Sequence, residues 1–370
     1  MARQMITPRL PRRCFALLSV LVPILFWTRT LRAEEEPPQV QRLARGKQSY
    51  DMLCAGCHGT DGESTSRGEN TKTLPGIGIR RTDYEIGHRL RGLMAALFTE
   101  EERADLVAYV KSFKGPKGYA RPELVINATA LTPFITDPGV RIVDLRPADA
   151  YAQSHLPNAV HLDEDALRTL PDAARFAALM EGIGVGNNTC VVAYDDNGGR
   201  GAARLWAALT YYGHPRVSIL DGGWRKWLGD GRDTTVWRPS QRVVTFTPWP
   251  QPDVHVTAAE LRACLKAQDV VLLDASPSFM RQNGWKHRVI HLESTNTLQP
   301  DGTFRPAAEL LSLYAAVGIT PDRRVVTMGT DWAQAAMAMF TLRLLGYPDV
   351  RMYDGTGTER AGEIVSHTGQ

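Results

Sequence analysis

Cysteine is scarce in this 370-residue chain: there are five, too few for a disulfide scaffold at this size. An excess of one charge is also missing. Forty-three basic residues face 40 acidic ones, and residues 1–33 hold six arginines and no acid, so the remainder lies near −3. That balance excludes the persistent basic footprint of a nucleic-acid binder. Nor is there an apolar run fit to span a bilayer. The stretch from Cys14 to Trp27 is 14 residues and contains Pro23, short of the roughly 20 a spanning helix needs. Basic residues precede it, and Leu31-Arg32-Ala33 then meets Glu34-Glu35-Glu36. This is the layout of a secretory signal over residues 1–33, cleaved near Ala33, which predicts a periplasmic protein with no stable transmembrane anchor.

What the chain does have is Cys54-Ala55-Gly56-Cys57-His58. Two thiols can bond a porphyrin covalently while the imidazole of His58 ligates its iron, the pattern of a c-type haem attachment site. A bare motif of this kind can also bind zinc, but export favours haem. Cys14 leaves with the signal, so Cys190 and Cys264 are the other two cysteines of the mature chain. Cys190 opens an apolar run and Cys264 lies in a helical pattern, so both read as buried small hydrophobes. Whether they pair is a question of geometry.

The motif, its lead-in Gly46 to Leu53, the following Gly59-Thr60-Asp61-Gly62 and a closing helix from Glu100 to Phe113 resemble small soluble c-type cytochromes. Thr99 and Glu102 form a capping-box pattern at the start of that helix, and Tyr109 supplies its aromatic. The resemblance implies an all-α domain over 34–114 with one haem c per chain, held by Cys54 and Cys57. It places His58 and Met94 on the iron, with His88 as the rival to Met94, whereas Met52 reads as a core residue. An iron with both axial positions filled has electron transfer as its default chemistry.

Residues 115–122, rich in glycine and proline, mark a linker. Beyond it short apolar strands alternate with amphipathic helices, which predicts parallel sheets covered on both faces. The pattern occurs twice: Ile142-Val143-Asp144-Leu145-Arg146 is echoed by Leu272-Leu273-Asp274-Ala275-Ser276, and Leu220-Asp221-Gly222-Gly223 by Tyr353-Asp354-Gly355. Two α/β units follow, over 123–238 and 239–370, joined through the proline-rich stretch Trp237 to Pro252.

Ile142 to Tyr151 with Ser154 to Leu162, and Leu220-Asp221-Gly222-Gly223-Trp224, resemble rhodanese motifs. The resemblance to two-domain thiosulfate or 3-mercaptopyruvate sulfurtransferases runs from about Leu124 to Asp354. It implies doubly wound domains of about five strands, each with a ligand loop at a strand's carboxyl end. Sulfur transfer in that family needs a cysteine thiolate at the start of the second domain's loop. Gly329 stands there, and Asp195 stands at the matching place in the first domain. Ser276 also replaces an arginine, Asp331 is expected to repel an anionic substrate, and Trp332 to fill its space. Arg281, Lys286 and Arg288, with His287, could still form an anion-binding mouth. Asp144 and Arg146 are expected to pair, His155 to cap local backbone, and Trp206, Trp224 and Trp227 to pack.

Three functions are compatible with this pattern. The first is an exported electron carrier whose degenerate rhodanese pair binds a sulfur compound or docks a redox partner protein. The others are an active thiosulfate or 3-mercaptopyruvate sulfurtransferase, which Gly329 opposes, and a haem-dependent oxidation of thiosulfate or another reduced sulfur compound. The first is the reading adopted.

Overall fold

The structure, a computed structural model of the chain, describes residues 38–55, 98–112, 117–277 and 289–355. The export segment, Cys57, His58, His88, Met94, Arg281, Lys286, His287 and Arg288 lie outside them. Among the described residues no helix is long and apolar enough to cross a membrane.

The described residues begin with two helices that cross closely, α1 (Pro38–Leu53) and α2 (Glu100–Lys111). The expected capping box starts α2: Thr99 Oγ1 accepts from the Glu102 N–H at 3.2 Å, and Glu102 accepts from the Thr99 N–H at 2.7 Å. The crossing depends on Gly46. A Cβ there would sit 2.1 Å from the Asp105 carbonyl oxygen and 2.7 Å from Tyr109 Cβ. Asp105 itself is buried and paired with Arg42 at 3.2 Å and Arg45 at 2.6 Å. Gly46→Ala therefore forces the helices apart. It should destabilise this domain by about 2 kcal/mol, read as a lower melting midpoint of haem absorption in the loaded protein.

Five parallel strands form the first sheet: β1 (Val125–Ile126), β2 (Val140–Asp144), β3 (Ala159–His161), β4 (Cys190–Tyr194) and β5 (Val217–Leu220), in the order β1-β5-β4-β2-β3. β2, β4 and β5 are buried along their whole length, which is why their sequences are mostly apolar, broken only by Arg141 and Asp144 in β2 and Ser218 in β5. The helices of this unit are α3 (Ala128–Leu131), α4 (Ala148–Gln153), α5 (Ala173–Gly182), α6 (Arg200–Tyr211) and α7 (Gly223–Gly229).

The second unit repeats the plan with β6 (Val270–Asp274), β7 (Val289–His291), β8 (Arg324–Met328) and β9 (Val350–Met352), ordered β7-β6-β8-β9 and parallel. Its helices are α8 (Ala258–Cys264), α9 (Ala307–Ala316) and α10 (Trp332–Leu344). A fifth strand was expected here, and only a bridge between His255 and Met352 takes its place. The stretch makes one ladder hydrogen bond, from the Val256 N–H to the Met352 carbonyl at 2.8 Å, before Thr257 caps α8 with its side chain on the Glu260 N–H.

Helices α6 and α10 join the two units. Each covers its own sheet and packs on the other, so both are buried nearly all round. Trp206 meets Phe340 edge-on at 5.0 Å in one continuous core. Residues 117–121 also bind across the seam. Lys117 Nζ donates to Asp221 at 2.7 Å and to the Phe304 carbonyl at 2.6 Å, while the Arg121 N–H reaches Leu344 O.

His214, 1% exposed beside Phe246, gives this core an acid weakness. Burial pushes its pKa down from 6.5 to about 4. As pH falls through 6.5 the unfolded chain takes the proton first, so the stabilisation present above 6.5 declines toward pH 4. The loss approaches about 3 kcal/mol. Urea unfolding at pH 7 and 5 should show it, and His214→Gln should flatten the slope.

Candidate functional site

Cys54 stands just past α1, half-buried against the apolar cluster of Tyr50, Leu106 and Val110. An apolar wall beside a thiol suits a porphyrin edge, so the described part of this domain fits a covalently held haem. Met52 does not belong to that wall. It is 70% exposed rather than a core residue, because α1 turns Tyr50, not Met52, toward α2.

At the carboxyl end of β4, Asp195 takes the place of the expected thiol. Its carboxylate, 3% exposed, accepts from the N–H groups of Asn197 at 2.9 Å, Gly199 at 2.8 Å and Ala202 at 3.0 Å. Burial raises its pKa, and these N–H groups oppose that rise. A ring of backbone donors is what would stabilise a bound anion, and the loop has filled it with its own side chain. The neighbouring Gly222-Gly223 motif explains itself by approach: a Cβ at Gly223 would lie 2.4 Å from the Asp195 carbonyl oxygen.

The loop after β8 is closed differently. Gln334, on the first turn of α10, turns its side-chain oxygen back to accept from the Thr330 N–H at 3.0 Å and the Thr330 hydroxyl at 2.9 Å. That oxygen lies 2.6 Å from where a Cβ on Gly329 would be, and Gln334 Cβ lies 2.9 Å from it. The vacant cysteine position is therefore occupied by a neighbour. Neither loop carries a cysteine at this position, and the two are sealed in different ways.

Asp331 and Trp332 act otherwise than the sequence suggests. Arg204 on α6 grips the Asp331 carboxylate at 2.6 and 2.7 Å and holds Glu164 at 2.8 Å, and Arg200 approaches Asp331 at 3.5 Å. Asp331 is thus a neutralised partner rather than a bare repelling charge. Trp332 is buried, with its indole N–H on the Leu167 and Arg168 carbonyls at 2.9 Å, so it anchors the second loop to the first unit instead of filling substrate space. Burial raises the Glu164 pKa, which Arg204 partly offsets. Gln334 and Arg204 escaped sequence reasoning, although Asp331-x-x-Gln334 carries a capping-box spacing.

The remaining expectations fall into place. Arg146 donates to Asp144 at 2.7 Å and to the Ser154 carbonyl at 2.6 Å, and its guanidinium stacks 3.7 Å from the Trp224 ring centroid. It is consumed by the fold and cannot turn to a ligand. In the second unit Ser276 makes only local bonds to Asp274. His155 bonds the Tyr151 carbonyl at 2.8 Å, and Trp206 and Trp227 are buried. Cys54, Cys190 and Cys264 are in no disulfide; Cys190 is buried, while Cys264 is only half-buried and burial pushes its thiol pKa up. A cleft of about 580 Å³ opens between the Asp195–Gly199 loop, Arg225 and Lys226 of α7, and the segment from Thr295 to Gly302. Among the described residues, no cluster of side chains suited to a metal ion occurs.

A model of the rhodanese-like domain family matches residues 128–230, and one of the cytochrome c family matches residues 43–114. The sulfur carrier protein TtuD of Thermus thermophilus is 30% identical over 271 residues, an overlap spanning 65% of this chain and 95% of the relative. The thiosulfate sulfurtransferase of Pseudomonas aeruginosa is 29% identical over 254 residues, covering 64% and 93%. The 3-mercaptopyruvate sulfotransferase SseA of Escherichia coli shares the fold, with a TM-score of 0.58 at 24% identity over 64% of this chain and 99% of that one.

Proposed function

Because this chain belongs to the rhodanese family and carries a cytochrome c domain ahead of its α/β units, we propose that it is an exported electron carrier whose rhodanese pair transfers no sulfur. In this reading the pair binds a reduced sulfur compound or docks a redox partner protein in the periplasm. The observation that supports it most is the Asp195 carboxylate lodged in its own loop's N–H donors, matched by Gln334 behind Gly329. A persulfide needs both a thiolate and a receptive loop. Neither described loop offers either.

A cytochrome c domain implies covalently bound haem. Cys54 and Cys57 would hold one haem per chain, with His58 and Met94 toward the iron. Bound there, the group supplies one-electron oxidation and reduction. The residues around it provide an apolar wall from Tyr50, Leu106 and Val110, and a closed helix crossing at Gly46.

Purified mature protein tests this directly. Iron and protein should be equimolar, and the haem spectrum should cycle between reduced and oxidised forms with a chemical reductant and oxidant. Met94→Ala should abolish the methionine-to-iron absorption band. A band that persists reassigns the ligand, and a haem that does not cycle contradicts electron carriage.

A further inference from the structure

We propose that Arg200 and Arg204 form a binding site for a small divalent oxyanion, thiosulfate being a member of that class that carries a terminal sulfane sulfur, and that Asp331 is a built-in competitor which keeps the site closed. This deepens the sulfur-binding part of the reading above and rests on it.

The two arginines are four residues apart on α6, hence on one face, and both reach from the first unit to the loop that follows β8. Arg204 is unusual among them. Its side chain is only 8% exposed, its Nη atoms hold Asp331 and Glu164, and its Nε has no acceptor. Arg200 Nε is also without one. A buried guanidinium presents a fixed fork of donors matched to paired oxygens, which a carboxylate fills only in part. The mouth is open to solvent, since Asp331 and Glu164 each keep 38% of their side chains exposed.

Charge selects the ligand. Two arginines face two carboxylates, Glu164 and Asp331, while the nearby Asp195 is already bound by backbone N–H groups. With Asp331 swung away, the arginines outnumber the one remaining salt-bridged acid, Glu164, and a dianion restores more than the lost contact. Asp331 competes at the high effective concentration of an attached group, on the order of millimolar. Anion binding to the native chain is therefore weak, and the loop sets its threshold. Trp332, pinned to Leu167 and Arg168, confines any such swing to Thr330 and Asp331.

Calorimetric titration of the haem-loaded mature protein with thiosulfate, and separately with sulfate, tests the proposal. Asp331→Asn keeps the helix cap but removes the charge, and should tighten thiosulfate binding at least about tenfold. Adding Arg204→Met should return it to the native level or below. Should Asp331→Asn fail to fold, Glu164→Gln frees the other side of Arg204 and should also strengthen binding. An equal gain for sulfate supports a site for divalent oxyanions as a class; a gain for thiosulfate alone supports one that reads the terminal sulfane sulfur. No gain with either anion, or a gain that survives Arg204→Met, overturns the proposal. Haem cycling in the unaltered protein reports on electron carriage separately, so failure of one is distinguishable from failure of the other.

Discussion

Asp195→Ala should lower the unfolding free energy of the rhodanese pair by about 2–4 kcal/mol, an effect large enough to see in urea unfolding followed by tryptophan fluorescence. The carboxylate satisfies three backbone N–H groups at 2.8–3.0 Å in a loop that has turned inward around it. Removing the acceptor leaves those donors unpaired in a buried setting, and each such loss is worth roughly 1–3 kcal/mol. Part of this is offset, because burial already disfavours the charge, as the raised pKa of Asp195 shows. Asp195→Asn should fall between, since an amide oxygen can serve some of the donors but not all. If Asp195→Ala were as stable as the native chain, the carboxylate would not be what closes this loop.

Gly329→Cys by itself should yield no sulfur transfer, whereas Gly329→Cys combined with Gln334→Gly should show turnover from thiosulfate to cyanide well above background. The single change puts a Cβ 2.6 Å from Gln334 Oε1 and 2.9 Å from Gln334 Cβ. The first atom could rotate away, but the second is fixed to α10, so the new residue is crowded and its thiol has no free donors around it. Removing the Gln334 side chain, Cβ included, clears both contacts and releases the Thr330 N–H, which then serves a persulfide anion. Activity from the single variant would mean that only the nucleophile is missing. Inactivity of the double variant, with its fold intact, would place the defect elsewhere in the loop.

These contrasts mark where sequence reading stops. The haem motif, the Thr99 and Glu102 capping box and the duplicated α/β plan are local or periodic features, and local chemistry dictates them. The empty cysteine positions were equally legible, because a strand ending in Tyr194 or Met328 fixes the place of the next residue. What fills those positions was not. Gln334 reaches back four residues, Arg204 pairs with a residue 127 positions away, and Trp332 bonds carbonyls of the other unit. Such contacts depend on how α6 and α10 face each other, which no periodicity encodes. Met52 was misjudged for a related reason: methionine on a helix is usually interior, but the side of α1 it occupies does not face α2.

The central claim is that the chain moves electrons and not sulfur. The most direct measurement is the rate of thiosulfate-to-cyanide and mercaptopyruvate-to-cyanide transfer by the haem-loaded mature protein, compared with a form in which Cys190 and Cys264 are replaced by serine. Rates that match the altered form and the uncatalysed reaction are expected, while the same preparation still reduces and reoxidises its haem. Turnover above that control would contradict the claim and restore sulfur transfer to this fold.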